Sequence, residues 1–276
     1  MNAPDGFLLP DTQNSVDVRE LSIDRVGIKG IRYPIEIAGS DGNRQPTVAE
    51  FDMYVALPKH LKGTHMSRFI EVLEALDEPI SLWSLRRLHG QMLHRLGADA
   101  GYIEMRFTYF VRKKAPVSGA ISWLDYEVSY CNEVTEPAHQ TTQARIVVPI
   151  TSLCPCSKVI SNYGAHNQRS HVTITLELVE PVDILRFIRL VEDEASCEIY
   201  GLLKRPDEKY VTERAYDNPK FAEDLVRDVA MRIEVDSHVK SFVVEAENFE
   251  SIHNHSACAR INSKKDSDFA VLGSGG

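Results

Sequence analysis

Two thiols and an imidazole lie close together in the segment Leu153-Cys-Pro-Cys-Ser-Lys-Val-Ile-Ser-Asn-Tyr-Gly-Ala-His-Asn-Gln-Arg-Ser170. Cys154 and Cys156 are one residue apart, and His166 follows ten residues after the second thiol, beyond a polar turn around Asn162, Tyr163 and Gly164. Thiolate and neutral imidazole are the ligands that zinc and related divalent metals prefer. A Cys-x-Cys pair closes too tight a ring for good disulfide geometry, so ligation or catalysis by at least one thiol is expected. Pro155 fixes the local backbone and with it the aim of both thiols. No second Cys pair follows, so the spacing is not that of a zinc finger, and a site with few protein ligands leaves a position open for catalysis. Alternatively, these are two buried cysteines and a hydrogen-bonded histidine.

His253 and His255 form a second cluster near the C-terminus. In a strand their spacing places both rings on one face; singly, each reads as an ordinary core or surface histidine. Several carboxylates are available. Glu208 lies in the charged stretch Lys204-Arg-Pro-Asp-Glu-Lys209, read as a solvated loop. Glu223 falls at the border of a helix's apolar face, beside Ala230, where half-burial would raise a carboxyl toward general-base values; the plainer reading is a surface Glu. Glu245 and Glu247 share a strand face just before Glu250 and the His pair, and carboxylates there suit an N–H-rich base such as guanine. Lys62-Gly-Thr-His-Met-Ser-Arg68 precedes a helix whose N–H groups, with Lys62 and Arg68, could hold phosphates; the plainer reading is a helix capped by Thr64 or Ser67. There is no Walker loop and no Gly-rich dinucleotide fingerprint.

The elements that must position these residues follow from periodicity. Val26 to Ile37 and Thr47 to Leu57 alternate as half-buried strands do, with a hairpin signal at Asp41-Gly42 between them. Helices are expected over Met66 to Leu76 and Leu82 to Leu96, then strands near Tyr102 to Arg112 and Ile121 to Asn132. The order recurs: strands near Thr142 to Ile150 and His171 to Leu178, a helix capped by Asp183 running to about Ile199, a second over Pro219 to Ile233, and the last strands within Ser241 to Ile261. This is an α+β pattern of two β-β-α-α-β-β modules, 23–138 and 139–265, between tails at 1–22 and 266–276, with a boundary near Pro137. Two unrelated α+β domains are the alternative. Uncovered sheet edges predict oligomerisation.

The bulk numbers exclude other classes. The 276 residues are 43% hydrophobic and 26% charged, as in ordinary globular proteins. A net charge of -9 argues against nonspecific nucleic-acid binding. No apolar run approaches the roughly 20 residues that span a bilayer. Met1 to Asp17 lacks a signal-peptide pattern and reads as a draped tail. The five cysteines, an odd and sparse set, point to a reducing, cytoplasmic compartment, with Cys131, Cys197 and Cys258 read as buried and inert.

At these residues the chain resembles the GTP cyclohydrolase type IB family. Cys154-Pro-Cys-Ser-Lys158, Tyr163-Gly-Ala-His-Asn-Gln-Arg-Ser170, Lys204-Arg-Pro-Asp-Glu-Lys-Tyr210 and Glu247-Asn-Phe-Glu-Ser-Ile-His-Asn-His255 are similar to its hallmark segments, as are Val26-Gly-Ile-Lys29 and Lys62-Gly-Thr-His-Met66. The resemblance implies a tunnelling fold of two modules per chain, assembled into a homotetramer of barrels. It implies conversion of GTP and water to formate and 7,8-dihydroneopterin triphosphate, the first step toward tetrahydrofolate, with a metal-activated water attacking guanine C8. By similarity Cys154, His166 and Glu208 are metal ligands for zinc, manganese or iron. Glu223 is a general base, His253 and His255 are active-site histidines, Cys156 lies beside the base and Glu250 anchors the guanine. Lys62, His65, Arg68, Lys158 and Arg169 are candidate triphosphate contacts. Val159 stands where some members carry Glu, so a role for an acid there does not carry over. The rival readings are a cyclohydrolase with a cyclic phosphate product, a tunnelling-fold enzyme using a thiol nucleophile on another purine or pterin, and a metal-stabilised binding protein.

Overall fold

Apolar residues at every second position become one face of a sheet. The computed structural model describes residues 11–13, 15–38, 44–136 and 139–264. In chain order these form β1 (Ile23–Ala38), β2 (Arg44–Leu57), α1 (Met66–Glu74), α2 (Leu82–Leu96), β3 (Gly101–Lys114), β4 (Ile121–Glu136), β5 (His139–Leu153), α3 (Pro155–Ile160), β6 (Asn167–Leu178), α4 (Ile184–Glu194), β7 (Cys197–Glu198), α5 (Arg205–Asp217), α6 (Ala222–Glu234), β8 (Val239–Asn248) and β9 (Ala257–Lys264). Among the described residues they build one sheet in the order β1-β2-β3-β4-β5-β6-β8-β9, antiparallel throughout, with β7 pairing β5. A row of side chains crosses it in register: Phe51 opposite Met105, then Tyr130, Ala144, Leu176 and Phe242. All six are buried and belong to the core beneath the helices. The next row, Glu104, Cys131, Gln143, Glu177 and Ser241, faces the other way, as the period of two requires.

The helices cover one face. Phe69, Val72 and Leu73 of α1 are buried, as are Leu85, Leu88 and Met92 of α2, Phe187, Ile188 and Val191 of α4, and Leu225, Val226, Val229 and Ile233 of α6. Ser81 caps α2 in a reciprocal box with Ser84, and Gly97 ends it in the left-handed conformation that favours glycine. Where β1 crosses β2, a Cβ on Gly27 would lie 2.0 Å from the Met53 carbonyl oxygen, so only glycine fits that close approach.

Several sequence expectations need correction. The stretch holding Glu208 is not a loop but the first turn of α5. The helix expected to reach Ile199 stops at Glu194, and β7 follows. The helix expected from Pro219 begins at Ala222. α1 is preceded by His65 and has no side-chain cap from Thr64 or Ser67. His253 and His255 are not in a strand but in the loop between β8 and β9. Cys197 is buried, and burial pushes the half-buried Cys131 thiol up to about 12, but Cys258 is exposed. Asp41-Gly42 and Pro137 lie outside the described residues. The described part of the N-terminal segment is draped: Val16 bridges Leu61, and Lys62 N–H donates to the Ser15 carbonyl. No helix among the described residues is long and apolar enough to cross a membrane.

Candidate active site

Strand register sorts the candidate residues to two ends of the sheet. Leu153, the last residue of β5, pairs with Asn167, the first of β6, and Ser170 pairs with Asn248, the last of β8. The loops carrying Cys154, Cys156, His166, Glu250, His253 and His255 therefore leave the same end. α6 reaches that end too: Lys220 N–H donates to the Leu153 carbonyl at 3.1 Å, which sets Glu223 in the first turn beyond it. Lys62, His65 and Arg68 follow β2, whose Val55 pairs with Gly101 at the start of β3. Gly101 pairs with Val134, and Val134 with Gln140 near the start of β5, so this basic cluster lies at the opposite end. One chain does not bring the two groups together.

The thiol–imidazole pair is locally built. Cys154 is the N-cap of α3, with Pro155 in its first turn, and its Sγ accepts from Ser157 N–H at 3.4 Å. Cys154 N–H donates to the His166 carbonyl at 3.2 Å. Ser157 Oγ bridges the segment: it donates to the Cys154 carbonyl at 3.1 Å and accepts from His166 N–H at 3.2 Å. The imidazole is oriented by Gln168, whose Oε1 lies 2.9 Å from His166 Nδ1. A neutral ring that donates from Nδ1 to this oxygen has its lone pair on Nε2. Glu250 Oε2 is 3.8 Å from the same Nδ1, with both side chains largely buried. Cys156 is exposed on α3.

The remaining candidates surround this pair without joining it. His253 and His255 are exposed and stacked, their ring centroids 5.1 Å apart at 22°. Glu223 is exposed rather than half-buried. Phe249 leads from β8 into the histidine loop and packs edge-on against His171. Glu208 is exposed on α5, next to the fully buried Asp207. Burial raises the Asp207 carboxyl, but bonds from Ser118, Lys204 and Val117 outweigh it and hold the group well below the usual carboxylate range. Lys158 is not free for phosphate: its Nζ donates to the Tyr216 carbonyl near the end of α5 and lies 4.2 Å over the Tyr216 ring. Among the described residues, no three His, Cys, Asp or Glu side chains cluster closely enough to hold a metal ion. Residues that sequence reasoning passed over are Gln168, two positions from His166 in a quoted motif, and Asp207, adjacent to Glu208. Neither carries a signal of its own, because each acts through its partners.

An antiparallel sheet backed by helices on one face is the α+β architecture of the uricases. The chain superposes on the uricase of Arthrobacter globiformis with a TM-score of 0.53 at 10% identity, over 90% of this chain and 95% of that one. It superposes on a hyperthermostable mutant of the Bacillus sp. TB-90 urate oxidase with a TM-score of 0.52 at 7% identity, over 88% and 100%. These likenesses show the fold alone. The family is given by sequence: residues 9–259 match the type I GTP cyclohydrolase FolE2 model. The chain is 55% identical over 265 residues to GTP cyclohydrolase FolE2 of Azoarcus sp. (strain BH72), covering 96% of this chain and 98% of that protein. It is equally similar, 55% over 265 residues, to the FolE2 of Methylobacillus flagellatus, covering 96% and 99%. The chain belongs to the type I GTP cyclohydrolase FolE2 family.

Proposed function

We propose that this protein opens the imidazole ring of GTP hydrolytically, giving formate and 7,8-dihydroneopterin triphosphate as the first step of tetrahydrofolate biosynthesis. Membership of the FolE2 family over nearly the whole chain supports GTP cyclohydrolase activity. The observation that carries the site is the His166–Gln168 contact of 2.9 Å, on a segment whose backbone ties His166 to Cys154 at 3.2 Å. A neighbour holding the other ring nitrogen is how metal-ligating histidines are oriented.

Thiolate, imidazole and carboxylate form a donor set suited to zinc, manganese or iron. Cys154 and His166 would hold the cation, with Glu208 of α5 as the third donor. When bound, the cation supplies the Lewis acidity that makes water a nucleophile at neutral pH. The chain's own groups do the rest. Glu250, at the same strand end, accepts from the N–H edge of guanine and orients C8. Glu223, His253 and His255 relay protons as the ring opens and formate leaves. Cys156 lies beside the base. Lys62, His65 and Arg68 hold the triphosphate. Because they sit at the opposite end of the strands, they come from a second copy, so the site is shared between chains.

The working assembly is then a homotetramer of barrels, each chain contributing two tandem β-β-α-α-β-β modules, 23–138 and 139–265. The compartment is the cytoplasm, with neither nucleic acid nor membrane as a partner. The test is incubation of the purified protein with GTP before and after chelation and metal add-back, following formate and, after oxidation, pterin fluorescence. Metal-dependent formate with neopterin triphosphate is the expected result. Folded protein that releases no formate with any of the three metals would overturn the reading.

A further inference from the structure

α5 is a helix that apolar packing does not hold. Of its thirteen residues only Asp207 and Ala215 are buried. Most helices in proteins are fixed by burial of an amphipathic face; this one is fixed by polar contacts at its two ends. At the C-terminal end Asn218 Nδ2 donates to the Ala195 carbonyl at 2.8 Å, Arg214 reaches Glu198 at 3.4 Å, and Lys158 donates to the Tyr216 carbonyl. At the N-terminal end the Asp207 side chain makes the attachment. Asp207 Oδ1 accepts from Val117 N–H and Ser118 N–H, each at 2.8 Å. Its Oδ2 accepts from Ser118 Oγ at 2.6 Å and from Lys204 N–H at 2.8 Å. One buried carboxylate thus joins the first turn of α5 to the turn between β3 and β4, about ninety residues earlier in the chain.

We infer that Asp207 is a positioning residue for the reaction: it fixes the first turn of α5 and thereby the place from which the neighbouring Glu208 reaches the cation. The inference rests on the reading of Glu208 as the third donor. Asp207 itself touches neither substrate nor metal, since all four of its acceptor positions are taken by the protein. Removing it takes away the acceptor shared by the Val117 and Ser118 N–H groups and the Ser118 hydroxyl and lets the first turn shift. A displacement of about 1 Å is enough to impair a site.

The test compares Zn2+ affinity, measured by competition with a chromogenic chelator, in the full-length protein and in Asp207→Asn, Glu208→Gln and the double variant. Circular dichroism and melting follow the fold. Glu208→Gln is expected to weaken Zn2+ binding, and Asp207→Asn to weaken it about 10- to 100-fold, the range for residues that orient ligands. The double variant is expected to bind no more weakly than Glu208→Gln alone, because Asp207 acts through Glu208. Wild-type affinity in Asp207→Asn with weakened Glu208→Gln overturns the inference and leaves the donor assignment standing. Fully additive losses also overturn it, since they mean a general effect on folding. Wild-type affinity in Glu208→Gln removes the donor assignment and the inference together. Should Asp207→Asn not fold, Ser118→Ala removes one of the four bonds; a severalfold weaker Zn2+ affinity supports the inference, and an unchanged one overturns it.

Discussion

Gln168 Oε1 lies 2.9 Å from Nδ1 of His166, two residues earlier, and Gln168 is itself buried at the start of β6. The contact suits the neutral tautomer that donates from Nδ1 and has its lone pair on Nε2. Gln168→Ala is expected to lower Zn2+ affinity about 10- to 100-fold. Competition with a chelator measures it, and an affinity equal to wild type would show that the ring needs no such support.

The Cys154 backbone N–H, not its side chain, closes the loop to His166. Cys154→Ala should therefore abolish formate release while the oligomer persists. Formate assay and light scattering on the same preparation decide this. Full activity in the variant would remove Cys154 from the mechanism.

Lys113 Nζ lies 2.7 Å from Glu192 Oε1, both side chains being 7% exposed, and the Tyr126 hydroxyl donates to the same oxygen at 2.6 Å. Breaking such a pair from one side strands a buried charge. Lys113→Met is expected to destabilise the chain by about 3–5 kcal/mol. The double variant Lys113→Met, Glu192→Leu should recover part of that loss, since Glu198, 3.1 Å from Lys113 Nζ, still loses this partner. Denaturant midpoints of the single and double variants test both statements; equal midpoints for Lys113→Met and the double variant would contradict the account.

His89 is 0% exposed, and burial pushes its pKa down from 6.5 to about 4. The folded chain keeps the ring neutral while the unfolded chain protonates it below 6.5. Stability contributed by this group is therefore complete above 6.5 and declines as pH falls toward 4, by about 1.4 kcal/mol per unit and about 3 kcal/mol in all. His89→Gln should flatten the stability profile between those limits, measured by denaturant unfolding at a series of pH values. An unchanged slope in the variant would show that other groups set it.

The strands and most helices were legible because their signal is local. Alternation in β2, β3, β5 and β6 and the apolar stripes of α1, α2, α4 and α6 place side chains by period alone. The helix α5 was not legible for the complementary reason. Its sequence, Arg205-Pro-Asp-Glu-Lys-Tyr-Val-Thr-Glu-Arg-Ala-Tyr-Asp217, carries no apolar stripe, and what holds it is the bond of Asp207 to Ser118 and of Arg214 to Glu198. Such partners are invisible until the chain is folded.

The sequence by itself determined the chemistry on offer: thiols at Cys154 and Cys156, an imidazole at His166, and the family to which those motifs belong. It also determined which residues of each strand turn inward. Only the tertiary structure decided where those groups stand. β4 pairs with β5, so the two halves share one sheet rather than two. His253 and His255 stack in a loop instead of lining a strand. Lys62, His65 and Arg68 are carried to the end of the sheet opposite Cys154. The reason is that periodicity is a property of neighbours along the chain. Strand register and long-range hydrogen bonds join residues far apart in it, and these set the ends at which loops emerge.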